Sequence, residues 1–185
     1  MRKAKVRENY QYLSREELLD KAYELGFNYA ENCESCSQST VAALHELLGF
    51  DDVVVRVATS LCGGSAEQFL GTCGALSGGI MVLDYYFGRP VEKMSYQEHL
   101  QVNLDALETP IQAAELLADK FVKEYGTITC AQLHRQLFGR IYYLRDPDER
   151  KKFLEAGNSS KCCRIVGNAA RWVMEILLDE GAIEL

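Results

Sequence analysis

The sequence predicts an all-α protein, a single-domain helical bundle of about seven to nine helices. Three observations support this fold class. Among 185 residues there are only three prolines, and long stretches consist of residues that favour helices. Apolar residues recur at helical spacing, and no segment alternates apolar and polar residues as a half-buried strand does. Since no repeat or linker divides the chain, we expect one domain at residues 14–185, preceded by an N-terminal extension at residues 1–13.

Capping signals predict the first helices. Ser14-Arg15-Glu16-Glu17 is a capping box, and it opens an amphipathic helix that runs to Gly26 or beyond. A second helix follows Asn32-Cys33-Glu34-Ser35-Cys36 and ends at Gly49, which is a typical C-cap. The β-branched run at residues 53–58 has no second strand with which to pair. We therefore predict a short helix there.

The segment at residues 61–88 differs from the rest of the chain, because it contains seven glycines and two cysteines. After Cys73 it becomes apolar, with small residues four positions apart on one face of a predicted helix. Such a bare face lets another backbone, a cofactor or a ligand come close, and it is also typical of a tight helix crossing. The pair at residues 63–64 lacks the strand-turn-helix context of a phosphate-binding loop. The glycines that we expect to border a cofactor are Gly63, Gly64, Gly74 and Gly78.

Further helices are predicted in the second half of the chain. Ser95-Tyr96-Gln97-Glu98 is another capping box, which starts a long helix that is broken or kinked near Pro110. Thr129-Cys130 begins the next helix, and Asp146-Pro147 begins the one after it. The last helix is the most clearly amphipathic, and it opens at Ser159-Ser160-Lys161-Cys162-Cys163.

Charge and hydropathy exclude two classes of partner. The net charge is −7 and the pI is about 5.1, so no basic surface is available to bind nucleic acid. The longest apolar run, near residues 80–83, is far shorter than the roughly 20 residues that span a bilayer. No apolar export signal follows the basic residues 1–7. We therefore expect a cytoplasmic protein with no membrane partner, and both a redox partner and a homo-oligomer stay open.

The seven cysteines carry the functional argument. In a reducing compartment, cysteines are more typical of metal sites or redox groups than of structural disulfides. Four of them follow, immediately or nearly, a Ser or Thr that can cap a helix, as Thr72 does before Cys73. At a helix N-terminus the backbone N–H groups favour a thiolate, which binds soft metals and attacks disulfides. We expect a shared site formed by Cys36, Cys73, Cys130 and Cys162.

Other candidate ligands are less convincing. Cys33 and Cys36 have the C-x-x-C spacing of redox pairs and zinc half-sites, but no second half completes a zinc set. Adjacent Cys162 and Cys163 point in different directions along a helix, so one of them at most faces a shared site. We interpret the three histidines as surface or partly buried side chains rather than ligands, because polar residues flank them within predicted helices: His45, His99 and His134.

The cysteine blocks resemble a known family in their order. Gly71-Thr72-Cys73-Gly74-Ala75-Leu76-Ser77-Gly78 is similar to a central Gly-x-Cys-Gly-Ala-x-x-Gly block. Cys36-Ser37-Gln38-Ser39 is similar to a first cysteine block, Cys130-Ala131-Gln132-Leu133 to a third, and Cys162 or Cys163 to a fourth. Together these blocks resemble the redox-active protein family with the pattern C_GCAxxG_C_C, over about residues 15–180.

The resemblance implies a helical domain whose four cysteines are redox-active or bind a metal, with no established substrate. Two features depart from the family pattern. Cys62 precedes the glycine pair, in a run that is normally free of cysteine, and Cys33 and one member of the last cysteine pair are additional.

We predict a redox protein in which Cys36, Cys73, Cys130 and Cys162 either bind an iron–sulfur cluster or exchange thiol for disulfide. In the exchange version Cys73 is the nucleophile, a neighbouring thiol resolves the mixed disulfide, and Cys36 is the second catalytic candidate. The alternative is a structural or interaction protein whose cysteines hold zinc or fill the core.

Overall fold

The computed structural model describes residues 2–97 and 99–185, without the side chains of residues 158 and 159. Within those ranges it contains eight α-helices and two short strands, which confirms the all-α class and the predicted number of helices. The elements are β1 (Ala4–Lys5), α1 (Arg15–Cys33), α2 (Cys36–Leu48), α3 (Asp52–Val57), α4 (Gly74–Phe87), α5 (Leu100–Tyr125), α6 (Cys130–Phe138), α7 (Pro147–Glu155), α8 (Asn158–Asp179) and β2 (Ile183–Glu184).

Helices α1 and α8 make the most extensive helix–helix contact among the described residues. The predicted capping box starts α1, because the Ser14 side chain accepts a hydrogen bond from the N–H of Glu17 and the Glu17 carboxylate accepts one from Ser14. The two helices approach closely at glycines. A Cβ on Gly26 would lie 2.9 Å from the Val166 carbonyl oxygen, and a Cβ on Gly167 would lie 2.8 Å from the Tyr23 ring.

Helix α4 packs against α2 through its small residues. A Cβ on Gly78 would overlap the backbone carbonyl oxygen of Ser37, in the first turn of α2. On the neighbouring face, the space beside Gly79 is filled by Leu117 of α5 and Val173 of α8. The small-residue face of α4 is therefore a helix crossing, and the crossing brings the start of α2 beside the start of α4.

Two of the other helix predictions are confirmed. The run at residues 53–58 is helical, as α3. At the start of α7, the Asp146 carboxylate accepts hydrogen bonds from the N–H groups of Asp148 and Glu149, with Pro147 as the first helical residue. Helix α7 begins where its cap predicts because the cap satisfies backbone N–H groups that have no partner within the helix.

Three boundaries differ from the prediction. Helix α5 begins at Leu100 rather than at Ser95, and Glu98 of the predicted capping box lies outside the described residues. Of the predicted break or kink near Pro110, the break is wrong, since Pro110 lies within one uninterrupted helix. Proline removes one backbone hydrogen bond from the helix, and packing of α5 against α4 and α8 stabilises the helix despite this loss. Helix α8 begins at residue 158, with Gly157 as its N-cap at φ 87°, rather than at Ser159.

The two ends of the chain meet at the surface of the bundle. Strand β1 pairs with β2 in parallel, so that Ala4 lies opposite Ile183 and Lys5 opposite Glu184. Val6, next to β1, is buried in the core. Residues before α1 are therefore held against the helical domain. Among the described residues, no helix is both long enough and apolar enough to cross a membrane.

Candidate functional site

Five cysteines from four segments of the chain line one cavity of about 80 Å³. None of the five forms a disulfide. We call this set the cysteine pocket: Cys36, Cys62, Cys73, Cys130 and Cys162.

Helix starts position three of these thiols. Cys36 is the first residue of α2, Cys130 is the first residue of α6, and Cys73 immediately precedes α4. Cys73 is itself the N-cap, so the expectation that Thr72 caps this helix is wrong. The expectation that Cys162 lies at a helix N-terminus is also wrong, because α8 starts a full turn earlier, at residue 158.

A short backbone pairing holds Cys73 and Cys130 beside each other. Thr72 and Thr129 face each other as an isolated antiparallel bridge. The N–H of Cys73 donates to the carbonyl oxygen of Ile128 at 2.8 Å, and the N–H of Cys130 donates to the carbonyl oxygen of Gly71 at 3.0 Å. The two threonines that were expected to cap helices thus join two helix starts. Because side chains alternate along a strand, both cysteines lie on the same side of this bridge.

The glycine-rich segment before α4 wraps around the pocket in an unusual conformation. Residues 63–67 all have positive φ, between 50° and 71°, although only the first two are glycines. Left-handed backbone costs non-glycine residues about 1–2 kcal/mol each. The segment is held by backbone hydrogen bonds from Phe69 to Gly63 (2.8 Å) and from Gly71 to Gly64 (3.1 Å). It places Gly63, Glu67 and Phe69 in the pocket wall.

The four glycines that were expected to border a cofactor have different environments. Gly63 lines the cavity. A Cβ on Gly64 would lie 3.0 Å from the Cys130 Cβ, and a Cβ on Gly74 would overlap the Cys36 sulfur. The space beside Gly78 is occupied by α2. The expectation of an open face for a cofactor is therefore wrong for Gly74 and Gly78, because protein atoms fill that face.

Burial dominates the electrostatics of the pocket. It raises the pKa of all five thiols, and it raises the pKa of Cys36 to about 12. The backbone N–H groups of Ala75 and Leu76 favour the thiolate of Cys73, and that of Gly63 favours the thiolate of Cys36, but burial outweighs both effects. The expectation that helix starts lower these pKa values is therefore wrong, because the charged form loses more hydration than the N–H groups restore.

His134 lies in the pocket wall, where the sequence-based interpretation did not place it. Its side chain is only 5% exposed, and its Nε2 atom is 3.8 Å from the Cys162 sulfur. Burial lowers the pKa of His134 to about 4. The interpretation as a surface or partly buried residue is wrong. His134 follows Cys130 by four residues in α6, a spacing that puts both on one helix face and could have indicated this position.

Charged residues close the rim of the pocket. Arg150 of α7 forms ion pairs with Glu34, which follows α1, and with Glu67 of the glycine-rich segment. It also donates to the Leu144 carbonyl oxygen at 3.1 Å. All four residues line the cavity. A single side chain therefore ties three chain segments together at the pocket entrance.

The remaining cysteines lie outside the cavity. Cys33 is exposed at the end of α1, and Cys163 is buried in the main core. Of the last pair, Cys162 therefore belongs to the pocket. The sequence-based set did not include Cys62, whose only signal was its departure from the family pattern. In the part of the chain that the structure describes, no three His, Cys, Asp or Glu residues are grouped so that they could hold a metal ion.

Comparison with known proteins agrees with this arrangement of cysteines. The family model described as "Putative redox-active protein (C_GCAxxG_C_C)" matches residues 34–176. The chain belongs to this family. The matched region contains the whole cysteine pocket of this C_GCAxxG_C_C protein, together with His134 and Arg150. No curated protein and no solved structure matches the chain.

Proposed function

We propose that this C_GCAxxG_C_C protein transfers electrons through an iron–sulfur cluster that Cys36, Cys73, Cys130 and Cys162 would hold. The convergence of thiols from distant segments on one cavity carries the proposal. Thiolates are the usual ligands of such clusters. A location in the cytoplasm and an external redox partner are further parts of the proposal.

The arrangement of the donor atoms favours a cluster over a single zinc ion. Bonds of about 2.3 Å in a tetrahedral zinc site bring the sulfur atoms within about 4 Å of one another. In a cluster, iron and sulfide atoms lie between the cysteines, so the cysteine sulfurs stand farther apart. Among the described residues no group of three His, Cys, Asp or Glu side chains could hold a single metal ion, whereas five thiols surround a cavity. Zinc remains the competing metal in the test below.

The residues of the pocket have separate tasks in this proposal. A bound cluster would supply one-electron transfer. The raised pKa values keep the thiols protonated in the metal-free protein, so loading would release their protons. The N–H groups at the start of α4 would then stabilise the charged sulfur of Cys73. Leu133, Phe153 and Ile165 line the cavity and limit the access of water.

Thiol–disulfide exchange is the second candidate, and Cys62 favours it. This fifth thiol is half-buried, and the charge of Cys36 would interact with that of Cys73 and, more weakly, with that of Cys62. A disulfide between Cys36 and Cys62 would form by transfer of two electrons and two protons to a disulfide substrate, which would leave as two thiols. The raised pKa values of both thiols make this chemistry slow at neutral pH.

Purification without oxygen tests the proposal. Iron, acid-labile sulfide and zinc are measured on one sample, together with its visible absorption spectrum. Equal amounts of iron and sulfide with a brown colour are expected. Zinc without colour would contradict the cluster and support the structural alternative. A metal-free protein that gains one disulfide on mixing with oxidised glutathione, and does not in a Cys62→Ser variant, would support thiol exchange instead.

A further inference from the structure

His134 is a polar residue in an otherwise apolar wall of the cysteine pocket. Three phenylalanine rings surround it. Phe69 lies with its ring centroid 4.7 Å away, Phe138 lies at 5.2 Å, and Phe153 is stacked on it at 5.3 Å with an interplanar angle of 17°. A fourth phenylalanine would satisfy such packing equally well. The packing does not explain the nitrogen atoms of His134, because an unpaired buried polar atom destabilises the folded state.

The surroundings of the two ring nitrogens favour one tautomer. Nδ1 is buried and has no hydrogen-bond partner among the described residues. Nε2 faces the Cys162 sulfur at 3.8 Å. A buried N–H without an acceptor is rarer in proteins than a bare acceptor. The proton therefore belongs on Nε2, which can donate it to sulfur, while Nδ1 keeps only its lone pair.

We infer that His134 is a positioning residue that donates its Nε2–H to the Cys162 sulfur and thereby raises the reduction potential of the centre in the cysteine pocket. The inference rests on the proposed cluster and specifies how this chain would tune it. Hydrogen bonds to the ligand sulfurs of a cluster help to set its potential. Such a bond stabilises the reduced state more, because reduction places additional negative charge on the sulfur atoms.

The test compares variants that differ in the donor. His134→Phe and His134→Met remove the N–H, whereas His134→Gln keeps an N–H donor at a length similar to that of Met. His45→Gln is the control, because His45 packs against Phe50 and does not line the pocket. Each full-length protein is purified without oxygen, its iron and sulfide are quantified, and its midpoint potential is measured by a spectroscopic redox titration.

We expect His134→Phe and His134→Met to retain iron and sulfide and to shift the midpoint potential to more negative values. His134→Gln is expected to remain closer to wild type than His134→Met, and His45→Gln is expected to leave the potential unchanged. Equal potentials in wild type and the two donor-free variants, with full clusters in each, overturn the inference and leave the proposed function intact.

The remaining outcomes also separate the two proposals. If all three His134 variants fold but lose their iron, His134 is required to assemble the cluster, and the inference of a tuning role is overturned. If the wild-type protein contains no iron and no sulfide, the proposed function fails, and the inference fails with it.

Discussion

At the scale of single residues, two opposing effects act on the pocket thiols. A position at a helix start favours a thiolate, whereas burial favours the neutral thiol. In Cys36 burial is the largest effect, and it raises the pKa to about 12. These cysteines are therefore suited to becoming charged only when a positive partner, such as iron, replaces the lost hydration.

Alkylation of the reduced, metal-free protein tests this balance. At pH 8 we expect iodoacetamide to modify exposed Cys33 at least about tenfold faster than Cys36 or Cys73, because the thiolate is the reacting form and the pocket thiols are buried and protonated. Mass spectrometry of peptides after timed quenching gives the rates. Modification of Cys36 or Cys73 at the rate of Cys33 would contradict this account.

Residue-scale features of the pocket could be predicted only in part. The spacing of His134 and Cys130 is visible in the sequence, but burial of a histidine between polar neighbours also depends on Phe69 and Phe153, which come from other segments. The sequence does not indicate the positive φ values of residues 65–67, since none of these residues is glycine or asparagine. Tertiary contacts impose both features.

At the scale of elements, local caps predicted some helix starts but not all, since α5 does not start at the capping box of Ser95. Ser14 and Asp146 are such caps, and α1 and α7 start as expected. Thr129 is the N-cap residue of α6, as predicted, but its side chain makes no capping hydrogen bond, and Thr72 is not the N-cap of α4. The two threonines pair with each other, a contact between distant segments that local spacing does not reveal. The small residues of α4 could not be interpreted from the sequence alone, because the same spacing is typical of a face that borders a cofactor and of a tight helix crossing.

The variant Gly78→Ala tests the crossing of α2 and α4. The added Cβ would overlap the Ser37 carbonyl oxygen, so we expect a loss of about 1–3 kcal/mol of unfolding free energy despite the gain of about 1 kcal/mol in helix propensity. Urea denaturation of the metal-free proteins measures the difference in unfolding free energy between the variant and wild type. Ser77→Ala, one residue earlier, is the control and should change stability by less than about 0.5 kcal/mol. Stabilisation by Gly78→Ala would show that the helices do not pack so closely.

The variant Arg150→Met tests whether ion pairs restrict entry to the pocket. Two partly exposed ion pairs contribute on the order of 1 kcal/mol together, so we expect alkylation of Cys62 to become about 2- to 5-fold faster. Arg145→Met is the matched control, because Arg145 is exposed and does not line the pocket. If the rates at Cys62 are equal in the two variants, the rim of the pocket is not held by Arg150.

At the scale of the whole molecule, the fold brings together residues that are distant in the sequence. The order of the cysteine blocks indicates which thiols belong together, but not that they surround one cavity. That arrangement depends on the crossing of α2 and α4 and on the bridge between Thr72 and Thr129. It also depends on the left-handed segment at residues 63–67, which directly follows Cys62. The all-α class can be predicted from local sequence patterns, whereas the pocket depends on how the helices and loops pack together.

The most direct test of the central claim is the iron and sulfide content of matched cysteine variants purified without oxygen. Cys73→Ser removes a thiol from the pocket, and Cys33→Ser removes an exposed thiol outside it. If the pocket holds the cluster, Cys73→Ser loses most of its iron and sulfide and its visible absorption, while Cys33→Ser keeps wild-type amounts. Equal iron and sulfide in the two variants, or a loss confined to Cys33→Ser, would contradict the claim that the pocket cysteines form the redox centre.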